Sequence, residues 1–393
     1  MEVTLIKDSN ELIVKKSGFM INIVGIGPRK SDITISALDA LKESDVVIGY
    51  KKYIDSIYDL IEDKEIIKKG MGDEIERGEL AISKSLEGKT VTLVSSGDPG
   101  VYGMANLIFQ LIDKYDEFDP KNDIKIFPGV SAVNFASSLL GAPLHDFAVI
   151  SLSDILTPLS EIEKKIEFAA KADFIMAIYN PISKTRKIPF KRFKEILMKV
   201  KDPKTLIGIV DSSESGYNDN PKKTPRTDVV TLKSLSEENI NMSTILIVGN
   251  SLTYLKDGYM ITPRGYVVKS EIHPLAEEFY HDYLAEKSPV GPNTGCEYYP
   301  CHESKDEPQY CDLCYCPFYP CGDGSTGGKW IKGKNVWSCQ DCEWIHEKNT
   351  VECVKKGLNN VLEEVDDLKS KKKELLKLRK HCILETRKKG NKV

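Results

Sequence analysis

Ten cysteines occur in this chain, all after residue 295, and eight of them fall within 47 residues. Their spacing is Cys296-x4-Cys301, Cys311-x2-Cys314-x-Cys316-x4-Cys321 and Cys339-x2-Cys342. A C-x2-C turn aims two sulfurs at one ion, so these eight residues are expected to ligate metal. Zinc takes four ligands and an iron–sulfur cluster normally takes four thiolates, so eight cysteines suffice for two centres. Spacing alone leaves the pairing open. Iron–sulfur is the expected occupant and a structural zinc its rival, because cysteine-only ligand sets serve both. His302 and His346 lie among the cysteines, whereas His381 and Cys382 fall in a later helical pattern and read as ordinary helix residues.

A second kind of chemistry is written in three glycine loops, each directly after an apolar run. The first is Val24-Gly25-Ile26-Gly27-Pro28-Arg29, which partly matches a dinucleotide fingerprint. Lys30 stands where the third glycine would be and Pro28 lacks an N–H for phosphate, so a nicotinamide site is set aside. The second loop runs over residues 95–104 and holds Ser96, Gly97, Asp98 and Val101; the third runs over 127–132 and holds Ser131 and Ala132. Asp98 has two readings, as an acceptor for a ribose or amine and as a helix cap. Parallel α/β sheets carry ligands at the carboxyl ends of their strands, so three such loops at one edge predict a small-molecule site. His145, with Ser153 and Asp154 shortly after it, supplies the acid/base candidates, since imidazole suits proton transfer near neutrality.

The elements that must position these groups follow from periodicity. Apolar runs at 21–26, 46–50, 91–95, 124–127, 147–152, 174–179, 206–210 and 245–248 read as buried strands, alternating with amphipathic helices at 33–43, 101–114 and 188–200. This predicts an α/β fold with mainly parallel sheets. Gly141-Ala142-Pro143 reads as a hinge, giving an extension over 1–18, α/β parts over 19–140 and 141–265, a connector over 266–292, a cysteine module over 293–353 and a basic amphipathic helix over 354–393. In that last segment Val361, Leu362, Val365, Leu368, Leu375, Leu376 and Ile383 recur at helical spacing, which predicts docking on protein rather than on nucleic acid. No internal repeat is evident. With 41% apolar and 29% charged residues, no membrane-length apolar run and no signal-like start, a soluble cytoplasmic protein is expected. In that reducing compartment, clustered cysteines favour metal over disulfides.

The ordered set GIGP, SSGDPGVYGMA, PGVSA, PLHDFAVISLSD, ADFIMAIYNP and GIV, over about residues 20 to 265, resembles the tetrapyrrole methylase family, and within it the C-17 methyltransferases of corrin synthesis. The resemblance implies two α/β domains with a cleft between them, a homodimer, bound S-adenosylmethionine and a tetrapyrrole substrate methylated at C-17 with ring contraction. It further implies cofactor contacts from Gly25, Gly27, Pro28, Ser96, Gly97, Asp98, Val101, Ser131 and Ala132, with Asn180 closing over the adenosine end. Relatives commonly carry glycine at the position of Arg29, and arginine tolerates positive φ poorly. The acidic macrocycle calls for cations, of which Arg29, Lys184 and Arg186 are the substrate-binding candidates; neighbouring corrin-pathway enzymes are possible partners. The segments NTGCEYYPCHE, CDLCYCPFYPC and VWSCQDCEWIH resemble a cysteine-rich small domain found near corrin-synthesis proteins. Two other functions stay open: methylation at another ring carbon, and a tetrapyrrole-binding delivery or redox protein.

Overall fold

The computed structural model describes residues 20–390 apart from 184, 213–224, 239, 269–271 and 303–307. It divides into two compact units, Met1–Leu139 with Val210–Arg226, and Leu140–Ile209 with Thr227–Val393.

The first unit is built on β1 (Met20–Gly25), β2 (Val46–Tyr50), β3 (Glu65–Lys69), β4 (Thr90–Ser95) and β5 (Ile124–Phe127), ordered β3-β2-β4-β1-β5 with every pairing parallel. Around it run α1 (Ile35–Glu43), α2 (Lys51–Ser56), α3 (Glu74–Leu86), α4 (Ala105–Ile112), α5 (Pro120–Asp123) and α6 (Ala132–Leu140). Helices cover both faces, which is why the strands read as continuous apolar runs. Ile21, Ile23, Val46, Ile48, Val91 and Leu93 pack on α3 and α4, while Val24, Val47 and Val94 pack with Ala37, Leu41 and Ile54 on the other side. Thr34 caps α1, its hydroxyl accepting from Ala37 N at 3.3 Å. The helix expected from residue 101 starts only at Ala105, because Tyr102 has φ 55° and Val101 N is turned back onto Asp98 O at 3.2 Å. Those residues lengthen the second glycine loop.

In the second unit, β6 (Gly141–Ala142) precedes β7 (Phe147–Ser151), α7 (Leu159–Lys171), β8 (Ile175–Tyr179), α8 (Ile188–Val200), β9 (Leu206–Asp211), β10 (Arg226–Thr231), β11 (Thr244–Val248), β12 (Tyr254–Lys256) and β13 (Tyr259–Ile261). The main sheet is ordered β10-β9-β11-β8-β7 and is mixed, with β7 parallel and β11 antiparallel to β8. All eight expected strands are present. Within the two main sheets the strands that apolar content did not predict are β3 and β10, whose Glu65, Lys68 and Lys69, and Arg226 and Asp228, interrupt the apolar pattern; β6, β12 and β13 are too short to register as apolar runs. The segment read as a hinge is held in place: Gly141–Ala142 pairs in parallel with Met260–Ile261, and Thr262 Oγ1 donates to Pro143 O at 2.9 Å.

The connector contains α9 (Pro274–Leu284), and among its described residues the cysteine module holds a small ribbon, β14 (Lys329–Ile331) with β15 (Val336–Ser338), and two 3-10 turns, Gly324–Thr326 and Trp344–His346. The single C-terminal helix expected over 354–393 is instead α10 (Lys348–Leu358), α11 (Asp367–Ser370) and α12 (Lys372–Gly390). The break has a local cause, since the Asp367 carboxylate accepts from Glu363 N at 2.8 Å and Glu364 N at 3.2 Å and so holds residues 363–366 in a turn ahead of α11. The apolar positions singled out in the sequence are nonetheless buried in one core with Tyr280, Leu313, Phe318 and Trp344, so module, connector and C-terminal helices fold as one body. Cys382 is a correction. It is bonded to Cys353 as a disulfide joining α12 to α10, not an ordinary helix residue.

One buried ion pair anchors the second unit. Asp173, at φ 60°, faces the Lys201 ammonium at 3.2 Å and also accepts from Ser251 Oγ at 2.7 Å and Ser251 N at 3.0 Å. Burial lowers the Lys201 pKa and Asp173 opposes that shift. Asp173→Ala leaves the ammonium buried without a counter-charge and is expected to destabilise the protein by about 3–5 kcal/mol. Denaturant unfolding of the variant against the parent chain measures this.

Candidate active site and cysteine module

At the carboxyl ends of β1, β4 and β5 the three glycine loops are packed backbone against backbone. Ile26 N donates to Ser95 O at 3.0 Å, and Gly27 and Gly97 exchange N–H···O bonds at 3.2 and 3.3 Å. A Cβ on Gly25 would lie 2.5 Å from Gly97 O, and one on Gly129 would lie 2.1 Å from the same oxygen. No side chain fits at either position. Asp98 braces the arrangement: its Oδ1 accepts from Gly100 N at 2.8 Å and its Oδ2 from Gly129 N at 3.2 Å, tying the second loop to the third. Gly97, at φ +60°, faces the start of α6, where Ala132 N and Ser131 Cα stand 3.8 Å from where its Cβ would be. Ser131 is buried there, and Ser96, Val101 and Ala132 remain half-buried around the rim.

Arg29 sits in this loop without distorting it. Its φ is −135°, ordinary extended backbone, and the left-handed residue is Gly27 at φ +66°. The Arg29 guanidinium bonds both oxygens of Asp32, at 2.8 and 2.9 Å, and lies 4.9 Å above the Phe135 ring. The hydrogen bonds it donates to Asp32 raise its pKa.

A second cluster lies after β7 and β8 in the other unit. Asn180, at φ 49° in a conformation that asparagine tolerates, donates from Nδ2 to Ser151 Oγ at 3.0 Å, and Ser153 N donates to the same oxygen at 3.1 Å. Arg186 gathers the rest, donating to Ser153 Oγ at 3.0 Å and Asn180 O at 3.2 Å, with Asp154 Oδ1 3.6 Å from its Nε. Thus Ser153, Asp154, Asn180 and Arg186, proposed for three different roles, are brought into one network. His145 is in other company: its Nε2 is 3.4 Å from Asp146 Oδ2, and it lines an open hollow with Phe147, Phe174 and Arg264. Lys184 lies outside the described residues.

Of the eight module cysteines, all have free thiols: Cys296, Cys301 and Cys314 are exposed, Cys311 is buried, and Cys316, Cys321, Cys339 and Cys342 are half-buried. Two imidazoles stand beside the exposed group, with ligand atoms of Cys301, His302 and His346 all within 4.8 Å of one another. Each ring's Nδ1 is 2.9 Å from a backbone oxygen, that of Gln340 for His302 and that of Tyr310 for His346. The residues that sequence reasoning missed are Lys372 and Arg379 of the C-terminal segment. Both are buried, Lys372 donating to Phe318 O at 2.7 Å and Tyr319 O at 2.6 Å, and Arg379 pairing with Asp323. The signal was available, since 372, 375, 379, 382 and 386 trace one helical stripe with Leu375 and Cys382.

Residues 20–212 match the family model of tetrapyrrole (corrin/porphyrin) methylases, and residues 287–369 match that of a cysteine-rich small domain. A probable cobalt-factor III C(17)-methyltransferase of Methanothermobacter thermautotrophicus is 56% identical over 365 residues, covering 93% of this chain and 99% of that one. A protein of the same name from Salmonella typhimurium is 41% identical over 251 residues, 63% of this chain and all of its own length. Among solved structures, that of the methyltransferase CobJ is similar with a TM-score of 0.58 and 34% identity, covering 62% of this chain and all of that one. A relative more than half identical along nearly the whole of both chains, on a fold whose glycine loops exclude side chains, establishes that this chain belongs to the tetrapyrrole methylase family.

Proposed function

We propose that this chain transfers a methyl group from S-adenosylmethionine to C-17 of a cobalt-factor III or precorrin-3B type macrocycle, with ring contraction, in corrin biosynthesis. The observation that carries the proposal is the full-length likeness to a relative bearing that name. The loops at β1, β4 and β5 fit the donor, because Gly25, Gly97 and Gly129 leave backbone rather than side chains around the rim. When bound, the donor supplies an electrophilic methyl on a cationic sulfur whose charge is lost on transfer. No base need touch that methyl. Positioning is the work assigned to the loops, and well-oriented pairs reach effective molarities of about 10⁵ to 10⁸ M. Asn180, fixed by Ser151, is assigned to the adenosine end.

Ring contraction does move protons, and for that we assign Ser153 and Asp154, both held by Arg186. Arg186 and Lys184 are assigned to the carboxylates of the macrocycle, for which a planar guanidinium is suited. His145 is a third proton-handling candidate. The cysteine module is read as loaded with iron–sulfur or zinc: eight free thiols within one small domain, with Lys372 and Arg379 buried beside some of them, suit a centre carrying excess negative charge. We assign the protein to the cytoplasm from its sequence and to a homodimer from the family resemblance; among the described residues no helix is long and apolar enough to cross a membrane.

Anaerobic incubation with cobalt-factor III and S-adenosylmethionine is expected to yield S-adenosylhomocysteine and a macrocycle heavier by one methyl group in place of hydrogen. Tight macrocycle binding without turnover would instead favour a delivery protein. Gly129→Ala forces a methyl group against Gly97 O at a cost of about 1–3 kcal/mol. Calorimetry is expected to show donor binding weakened roughly tenfold to hundredfold, the same energy expressed as affinity, with the circular dichroism spectrum retained.

A further inference from the structure

The cysteine module contains the same short device twice, in tandem. Cys296-Glu-Tyr-Tyr-Pro-Cys301 and Cys316-Pro-Phe-Tyr-Pro-Cys321 are both Cys-x2-Tyr-Pro-Cys, and each is followed by a Cys-x2-Cys, at Cys311/Cys314 and at Cys339/Cys342. This is an internal repeat that the sequence reading passed over. The backbone repeats as well. Tyr299 N donates to Cys296 O at 3.0 Å and Tyr319 N to Cys316 O at 3.1 Å; Cys314 N donates to Cys311 O at 3.2 Å and Cys342 N to Cys339 O at 3.0 Å. The two Cys-x2-Cys turns closed in this way bring the sulfurs at their ends toward one point, and the two Cys-x2-Tyr turns fold each hexapeptide back between its cysteines.

Each hexapeptide is also tied to the Cys-x2-Cys that follows it. In the first copy the tie is Gln309, buried, whose Oε1 is 3.6 Å from Cys301 Sγ and whose main-chain oxygen is 4.0 Å from Cys311 Sγ. In the second it is Arg379, paired with Asp323, whose main-chain oxygen is 3.7 Å from Cys321 Sγ, and bonded at 2.8 Å to Thr326 Oγ1, which is 3.2 Å from Cys342 Sγ. We propose that the module holds two separate four-thiolate metal centres, an outer one on Cys296, Cys301, Cys311 and Cys314 and an inner one on Cys316, Cys321, Cys339 and Cys342.

The electrostatic surroundings sort the same way. Burial raises the Cys301 and Cys314 thiols, and the charges that add to the rise come from members of the outer set. Burial likewise raises Cys316, and Cys339 to about 12, with the further push coming from Cys321 and Cys342. Four thiolates around Zn²⁺ or around a four-iron cluster leave excess negative charge in either case. Lys372 and Arg379 offset it at the inner centre. The outer centre instead meets solvent at Cys296, Cys301 and Cys314 and borders the imidazoles of His302 and His346. Exposure makes the outer centre the one that exchanges first.

This inference rests on the reading that the module carries metal, and the test separates the two. The full chain is purified anaerobically, its zinc and iron are counted, and absorption near 400 nm distinguishes a cluster from zinc. Metal is then withdrawn stepwise with a chelator while freed thiols are alkylated and mapped by mass spectrometry. The expected result is that Cys296, Cys301, Cys311 and Cys314 are labelled together, before the other four, when half the metal has left. Labelling of a set that mixes the two copies overturns the partition alone; a chain that never holds metal overturns both readings. Variants give a second measurement: C296S/C311S and C316S/C339S each keep half the metal, and C296S/C316S keeps none. Retention of half by C296S/C316S, or loss of half by His346→Ala, overturns the assignment.

Discussion

Contact between the main chains of Gly25, Gly97 and Gly129 is the constraint on which the methylase part depends. Three loops from three parallel strands can meet at one point only if none carries a side chain there, because a Cβ on Gly25 or Gly129 would fall well inside van der Waals contact distance of Gly97 O. The sheet order β4-β1-β5 puts these loops side by side. Asp98 then fixes their spacing by accepting from one N–H in its own loop and one in the next. A carboxylate that the sequence offers to a ligand is thereby committed to the frame around it.

A comparable commitment holds for the charged residues. Arg29 and Arg186 read from the sequence as cations waiting for an acidic substrate, yet Arg29 is bonded to both oxygens of Asp32 and Arg186 to Ser153 and the Asn180 main chain. Guanidinium groups present several donors in a fixed plane, so one residue can organise a loop and still present an edge to a ligand. Arg186 accordingly unites side chains from two strand ends into one polar cluster.

Among its described residues the cysteine module has little regular structure of its own, a ribbon of two three-residue strands and two 3-10 turns, and takes its order from what surrounds it. Tyr280 of the connector donates to Tyr315 O at 2.6 Å, Trp344 packs with Phe318 and reaches Thr386 of α12 through its indole N–H at 3.3 Å, and the disulfide fastens α10 to α12. From α12 the buried Lys372 donates to the main chain at Phe318 and Tyr319, and the buried Arg379 pairs with Asp323. The methylase part stands without this module in the Salmonella relative, whose whole length is matched by less than two thirds of this chain.

Much of this was legible beforehand. The eight buried strands, the three loops and the eight thiols announce themselves because burial on both faces demands apolar runs, close backbone approach demands glycine, and metal demands sulfur at short spacing. The strands β3 and β10 were not, since Glu65, Lys68 and Lys69 in one and Arg226 and Asp228 in the other interrupt the apolar signature, and the break before α11 turned on a single aspartate, Asp367, within a pattern that periodicity reads as continuous. By itself the sequence determined which residue types the two sites contain and the order in which they occur. Only the tertiary structure decided which of them meet: that Asp98 joins loops, that Arg186 holds Ser153 beside Asp154, that Cys353 bonds Cys382, and that Arg379 reaches the thiols from a helix at the far end of the chain. Those are contacts between residues distant along the chain, and their partners are chosen by packing, which no local pattern encodes.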